Sequence, residues 1–241
     1  YVGQLALPSL SEEIELEYFV NAMRWLWKQK AVDPRKILVM GASRNAELAL
    51  VIASTLPDIV GGVIAYAPSS VSWSNTVLPY NSDEVKASWK YQGVDIPYVP
   101  MDKISGNDSD KIETTEYWEM GLAKADTIQE ALIKVELIKG PILLFSGIDD
   151  KVWPAVKMAD MIEKRLKDNN FNYVIKNIKY ENAGHLISTH PEQFSSVRTG
   201  NMNINGKDYE YEFGGTDEGD FNAKKDAYSQ LFEFLAIVKN E

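Results

Sequence analysis

The sequence predicts an α/β protein with a mostly parallel sheet and helices on both faces. Three observations lead there. First, Ile37-Leu38-Val39-Met40, Val63-Ile64-Ala65-Tyr66 and Ile142-Leu143-Leu144-Phe145 are short, wholly apolar runs, as strands buried on both faces require. Second, each run meets a breaker soon after its end, at Gly41, Pro68 and Gly147. Third, segments of helical spacing alternate with these runs, and that alternation specifies parallel strands joined by crossover helices.

The elements follow in order. Ser9 with Glu12 fits a capping box, and Leu16, Phe19, Val20, Met23 and Trp27 then recur at helical spacing up to Asp33-Pro34. After the first apolar run, residues from Ala46 to Pro57 read as a helix. Ala155 to about Lys167 is a second amphipathic helix, with Met158, Met161, Ile162 and Leu166 on one face. Tyr173 to Tyr180 is strand-like, residues 198–220 read as a Gly- and Asn-rich loop, and Tyr228, Leu231, Phe232, Leu235 and Val238 mark a final helix. Residues 71–140 break the alternation. They carry Trp73, Trp89, Tyr117 and Trp118 among other aromatics. So long a break predicts an inserted cap over a site; the alternative is a surface excursion with its own small cluster.

Bulk properties bound the function. The chain has 241 residues, 45% of them hydrophobic, which suits a single domain over 1–241. Its net charge of −10 makes nucleic acid an unexpected partner. With no cysteine and two histidines, thiolate chemistry is excluded and a multi-His metal site is not expected. No cofactor is implied. No apolar run is long enough for a membrane span, and no signal-peptide pattern opens the chain; the expected compartment is the cytoplasm. The chain begins at Tyr1 rather than Met, and a preceding segment is expected.

Three sites carry chemistry, each just after a predicted strand. Gly41-Ala42-Ser43-Arg44-Asn45 lies between a buried strand and a helix, the setting of a nucleophile elbow. Ser43 is the expected nucleophile. The backbone N–H of Arg44 and the helix dipole would face a developing oxyanion. Asn45 stands where this motif usually has glycine; it tolerates unusual backbone angles but adds a side chain in a tight place. In Ser146-Gly147-Ile148-Asp149-Asp150-Lys151-Val152-Trp153-Pro154, Asp150, four residues before the proline, is the first choice for an acid that orients a histidine. Asp149 is the alternative. Glu181-Asn182-Ala183-Gly184-His185 offers His185 as general base, whereas His190 reads as a loop residue. The order Ser, Asp, His is that of α/β-hydrolases.

With these residues in place, the chain resembles the C-terminal catalytic domain of the acyl-CoA thioester hydrolase / bile acid-CoA:amino acid N-acyltransferase family, itself similar to dienelactone hydrolases. The resemblance covers nearly the whole chain. It runs through Leu7-Pro8 with Ile14 to Phe19, Val32 to Ile37, Ser43 to Leu50, Asp149 to Pro154, Ala183 to Ile187, Phe213 to Thr216 and Ala227-Tyr228. It implies an α/β-hydrolase fold with Ser43, Asp150 and His185 as a triad and a CoA thioester as substrate. Within the family a serine nucleophile goes with hydrolysis and a cysteine with transfer to an amino acid. The resemblance also implies an earlier strand and a loop donating a second oxyanion N–H. Tyr1-Val2-Gly3 looks like the tail of that strand, so half of the oxyanion hole is expected outside this chain. Arg44 and Lys151 are candidates for CoA phosphates, with ordinary surface charge as the alternative. Two other functions stay open: a carboxylesterase or dienelactone-type hydrolase, and a non-catalytic domain that keeps the scaffold.

Overall fold

The three apolar runs lie side by side in one sheet. The computed structural model describes residues 12–75, 84–102, 104–187 and 191–240. Its elements are β1 (Ile14–Glu15), α1 (Glu17–Trp27), β2 (Val39–Ala42), α2 (Arg44–Thr55), β3 (Val63–Tyr66), β4 (Trp89–Tyr91) and β5 (Val94–Asp95). They continue with α3 (Thr115–Ala125), β6 (Ile142–Gly147), α4 (Ala155–Asp168), β7 (Ile175–Tyr180), β8 (Thr199–Ile204), β9 (Lys207–Glu212) and α5 (Asp217–Asn240).

The central sheet has the order β2-β3-β6-β7, and every pair in it is parallel, with Val39 opposite Val63, Val63 opposite Ile142, and Ile142 opposite Ile175. Strand side chains alternate between faces. Val63, Ala65, Ile142 and Leu144 enter a core shared with α1, α2 and α4. Ile64, Tyr66, Leu143 and Phe145 enter a second core against Ala223, Ala227 and Phe234 of α5. Burial on both faces accounts for the unbroken apolar runs of β3 and β6. The first run departs from that expectation: among the described residues β2 is an edge strand of this sheet, and its Met40 is 62% exposed. Parallel order also puts the carboxyl ends of β2, β6 and β7 along one edge, where open α/β sheets carry their sites.

Several elements depart from the sequence reading. The first strand is Val39–Ala42 rather than 37–40, because Gly41 and Ala42 continue the pairing with Ala65 and Tyr66. The first helix ends at Trp27, well before Pro34. Its N-cap is Leu16, which makes no side-chain cap bond; Ser9 of the expected capping box lies outside the described residues. Asp33 instead caps a short turn at 34–36 by accepting from Arg35 N. The last central strand starts at Ile175, two residues later than expected.

The largest correction concerns residues 198–220. They are not loop but a hairpin, β8–β9, followed by the start of α5 at Asp217. Asn205 and Gly206 sit at φ 53° and 89°, which is the left-handed pair that a two-residue hairpin turn of type I′ requires. The hairpin docks on residues of the 71–140 segment: Ile112 N donates to Glu210 O at 2.9 Å and Glu210 N to Asp110 O at 2.8 Å. Ile104, Ile112, Met202, Ile204 and Tyr209 form a small core between them. Among the described residues no helix is long and apolar enough to cross a membrane.

Candidate active site

Ser43 joins the end of β2 to the start of α2. Its backbone is strained, at φ 57° and ψ −127°, a region non-glycine residues occupy only when their surroundings force them there. Two constraints impose it. Ser43 N donates to Tyr66 O at 2.9 Å, while Ser43 O already accepts from Ala46 N and Glu47 N, so the residue serves both strand and helix. The turn also needs Gly41, since a Cβ there would lie 2.0 Å from Asn45 O. As the first residue of α2, Arg44 has a backbone N–H with no intrahelical acceptor. Asn45 itself is an ordinary helical residue with an exposed side chain. It neither takes up an unusual backbone angle nor crowds the turn, contrary to the expectation drawn from the sequence.

His185 and Asp150 are brought together from loops after β7 and β6. His185 Nδ1 lies 2.7 Å from Asp150 Oδ2, and both side chains are buried. The other carboxylate oxygen, Oδ1, accepts from Val152 N at 2.8 Å and Trp153 N at 3.2 Å. The carboxylate is thus held on both sides, and with Nδ1–H donating to it the imidazole keeps Nε2 as its free acceptor. Asp149 turns elsewhere. It pairs with Lys151 at 3.0 Å and accepts from Gly215 N at 2.8 Å. Although burial pushes its carboxyl up, Lys151 and the Gly215 N–H outweigh this and hold it below the ordinary range.

The imidazole neighbours two aromatic rings, Trp153 edge-on at 5.9 Å and Phe213 stacked at 6.5 Å. Its loop is anchored through the backbone: His185 N donates to Phe213 O at 2.8 Å and Gly184 N to Asp220 Oδ1 at 2.8 Å. Asp220 is buried and also pairs with Arg198 at 2.8 Å. Neither Asp220 nor Arg198 stood out in the sequence, since both lie in the stretch read as loop.

The Arg44 side chain is neither a surface charge nor a free phosphate ligand. Its guanidinium donates to Glu47, to Ser88 Oγ and, at 3.0 Å, to Ser74 O. Glu47 is wholly buried and accepts from Trp73 N at 3.0 Å and Trp89 Nε1 at 2.8 Å. Burial pushes the Glu47 carboxyl up, against the pull of Arg44 and the two tryptophan N–H groups, and burial pushes the Arg44 guanidinium down. This network joins the turn that carries Ser43 to the segment 71–140. A charged pair three residues apart on one helix was the available sequence signal.

Ser43 and His185 line one cavity of about 320 Å³. Its remaining walls are mostly apolar: Met101, Ile104 and Trp118 come from the 71–140 segment, and Met202, Tyr211 and Phe213 from the hairpin and the strand end after it. Trp118 stands edge-on to Trp153 at 5.3 Å and to Trp73 at 5.0 Å. Among the described residues no group of three or more His, Asp or Glu is arranged to hold a metal ion.

A parallel sheet, a strained serine between strand and helix, and a His–Asp pair on the following loops define the α/β-hydrolase fold. The chain belongs to the BAAT / acyl-CoA thioester hydrolase C-terminal family, whose model matches residues 14–238. Human acyl-coenzyme A thioesterase 6 is 26% identical over 231 residues, which make up 95% of this chain and 50% of that protein. Mouse mitochondrial acyl-coenzyme A thioesterase 2 is 27% identical over 231 residues, covering 95% of this chain and 46% of that protein. The chain thus spans about half the length of these curated relatives. Among solved structures, an acylaminoacyl peptidase from Pyrococcus horikoshii overlaps 91% of this chain and 27% of its own, with a TM-score of 0.49 at 12% identity.

Proposed function

We propose that the protein is a serine hydrolase of acyl thioesters, acyl-CoA in particular, with Ser43 as nucleophile, His185 as general base and Asp150 as the acid that orients it. One observation carries the reading: a strained serine and a histidine tied to a buried carboxylate open onto the same apolar cavity. Membership of the family and the thioesterases among its relatives support the choice of substrate class.

Ser43 Oγ attacks the thioester carbonyl carbon as His185 Nε2 takes its proton. The Arg44 N–H donates to the oxyanion, assisted by the amino end of α2. Collapse of the tetrahedral adduct breaks the C–S bond, and His185 returns the proton to the departing CoA thiolate. Water, deprotonated by His185, then attacks the acyl-serine, and the acid leaves as Ser43 regains its proton. The acyl chain occupies the apolar cavity. Residues 71–140 act as a cap on a single catalytic domain, fastened to the nucleophile turn by Arg44 and Glu47.

Two measurements test this. A fluorophosphonate probe is expected to label Ser43, with labelling lost in Ser43→Ala. Free thiol released from acyl-CoA is then compared with p-nitrophenol released from matched oxygen esters. Ester cleavage without CoA release would replace the thioesterase by a carboxylesterase. Absence of Ser43 labelling would leave a scaffold without catalysis.

A further inference from the structure

We infer that the β8–β9 hairpin is the length gauge of the acyl site; the inference rests on the hydrolase reading above. The hairpin reaches the cavity directly, since Met202 and Tyr211 line it together with Ser43 and His185. This wall is packed rather than loose. Met202 and Ile104 are nearly inaccessible to solvent and share a core with Ile112, Ile204 and Tyr209. The hairpin cannot slide away along its partner either, because the bonds between Ile112 and Glu210 and between Glu210 and Asp110 fix its register on the 71–140 segment.

The wall also stands at a fixed distance from the base. Phe213, directly after β9, accepts from His185 N and donates to Arg198 O, each at 2.8 Å. Arg198 in turn donates to Gly214 O at 2.7 Å and pairs with Asp220, the residue that holds Gly184. A single bonded unit therefore carries both the imidazole and the cavity wall. An acyl chain attached at Ser43 meets a wall that side chain 202 defines.

The experiment uses the full chain and two parallel series of graded alkyl length: saturated acyl-CoA substrates, read as kcat/KM, and p-nitrophenyl alkylphosphonates, read as the rate of Ser43 labelling. Met202→Ala is expected to move the optimum of both series to longer chains and Met202→Trp to shorter ones. The ratio of longest to shortest chain should change by at least about tenfold, as a methylene or two in an apolar pocket does. Tyr211→Leu, expected to act in the direction of Met202→Ala, provides an independent variant should the tryptophan fail to fold, which thermal melting reports. Unmoved profiles in the folded variants overturn the inference. If acyl-CoA is inert but the phosphonate profiles still move, the thioesterase reading fails and the length gauge stands. If no phosphonate labels Ser43 in the unaltered protein, both fall.

Discussion

Arg44 and Glu47 form an ion pair sealed beneath the turn that carries Ser43, with the carboxylate also bound by Trp73 N and Trp89 Nε1. Removing one member of such a pair leaves an uncompensated buried charge. Glu47→Ala is therefore expected to destabilise the protein by about 3–5 kcal/mol, read from urea unfolding. Glu47→Gln retains an acceptor for the tryptophans and should lose less. A Glu47→Ala midpoint and slope matching the unaltered protein would contradict this account of the network.

Asp150 and Asp149 are neighbours with separate partners, His185 for the first and Lys151 with Gly215 N for the second. Asp150→Asn keeps the shape of the loop but no longer holds His185 in the tautomer with Nε2 free, and is expected to lower kcat by about 10⁴-fold. Asp149→Asn, which touches Lys151 and Gly215 rather than His185, should cost far less. Steady-state rates with an acyl-CoA substrate decide the matter, and equal losses would show that the geometry misleads.

Gly41→Ala drives a Cβ to within 2.0 Å of Asn45 O. That neighbour is backbone, so relief requires the turn to shift. A stability loss of about 1–3 kcal/mol or more is expected, together with slower fluorophosphonate labelling of Ser43. Unchanged labelling in a folded Gly41→Ala protein would show that the turn does not need its glycine.

Tyr66, stacked on Phe145 at 4.7 Å, has its phenol pushed up to about 12 by burial. The folded state thus holds that proton more tightly than the unfolded chain, whose tyrosines titrate near pH 10. The resulting stability is complete below about pH 10. It is lost as pH rises toward 12, by about 3 kcal/mol at the limit. Tyr66→Phe should flatten this part of the stability profile, measured by denaturant midpoints from pH 8 to 11.5. A profile identical to that of the unaltered protein would assign the alkaline loss to other groups, Tyr180 first, whose phenol is also raised by burial and by Asp226.

Much of this arrangement can be read in the residues themselves. Double-faced burial writes itself as uninterrupted apolar runs, and for that reason Val63–Tyr66 and the start of β6 are recognisable. Ser43, Asp150 and His185 are noticeable because each follows a strand. The hairpin escaped notice for a physical reason. Glycine and asparagine mark loops in general, but Asn205-Gly206 between Met202, Ile204 and Tyr209, Tyr211 is the pattern of a tight hairpin turn. The cavity wall went with it. The Arg44–Glu47 pair was hidden because its burial depends on Trp73 and Trp89, which only the tertiary fold brings over α2. Asn45 misled in the opposite direction: its position in the motif suggested crowding, whereas the helix directs its side chain to solvent.

The docking of the hairpin on the 71–140 segment has a kinetic consequence. Tyr209 OH reaches Asn107 O across 102 residues of sequence. The β3–β6 pairing closes a similar span, and closure cost rises only slowly with length, so burial and bonding rather than separation set which part opens first. Lys111 and Glu210 at this seam are exposed or half-buried, whereas β3 and β6 are buried throughout. Amides of Ile112 and Glu210 should therefore exchange with deuterium before those of β3 and β6, the wall keeping one register while it is closed and parting from the 71–140 segment as a unit when it opens.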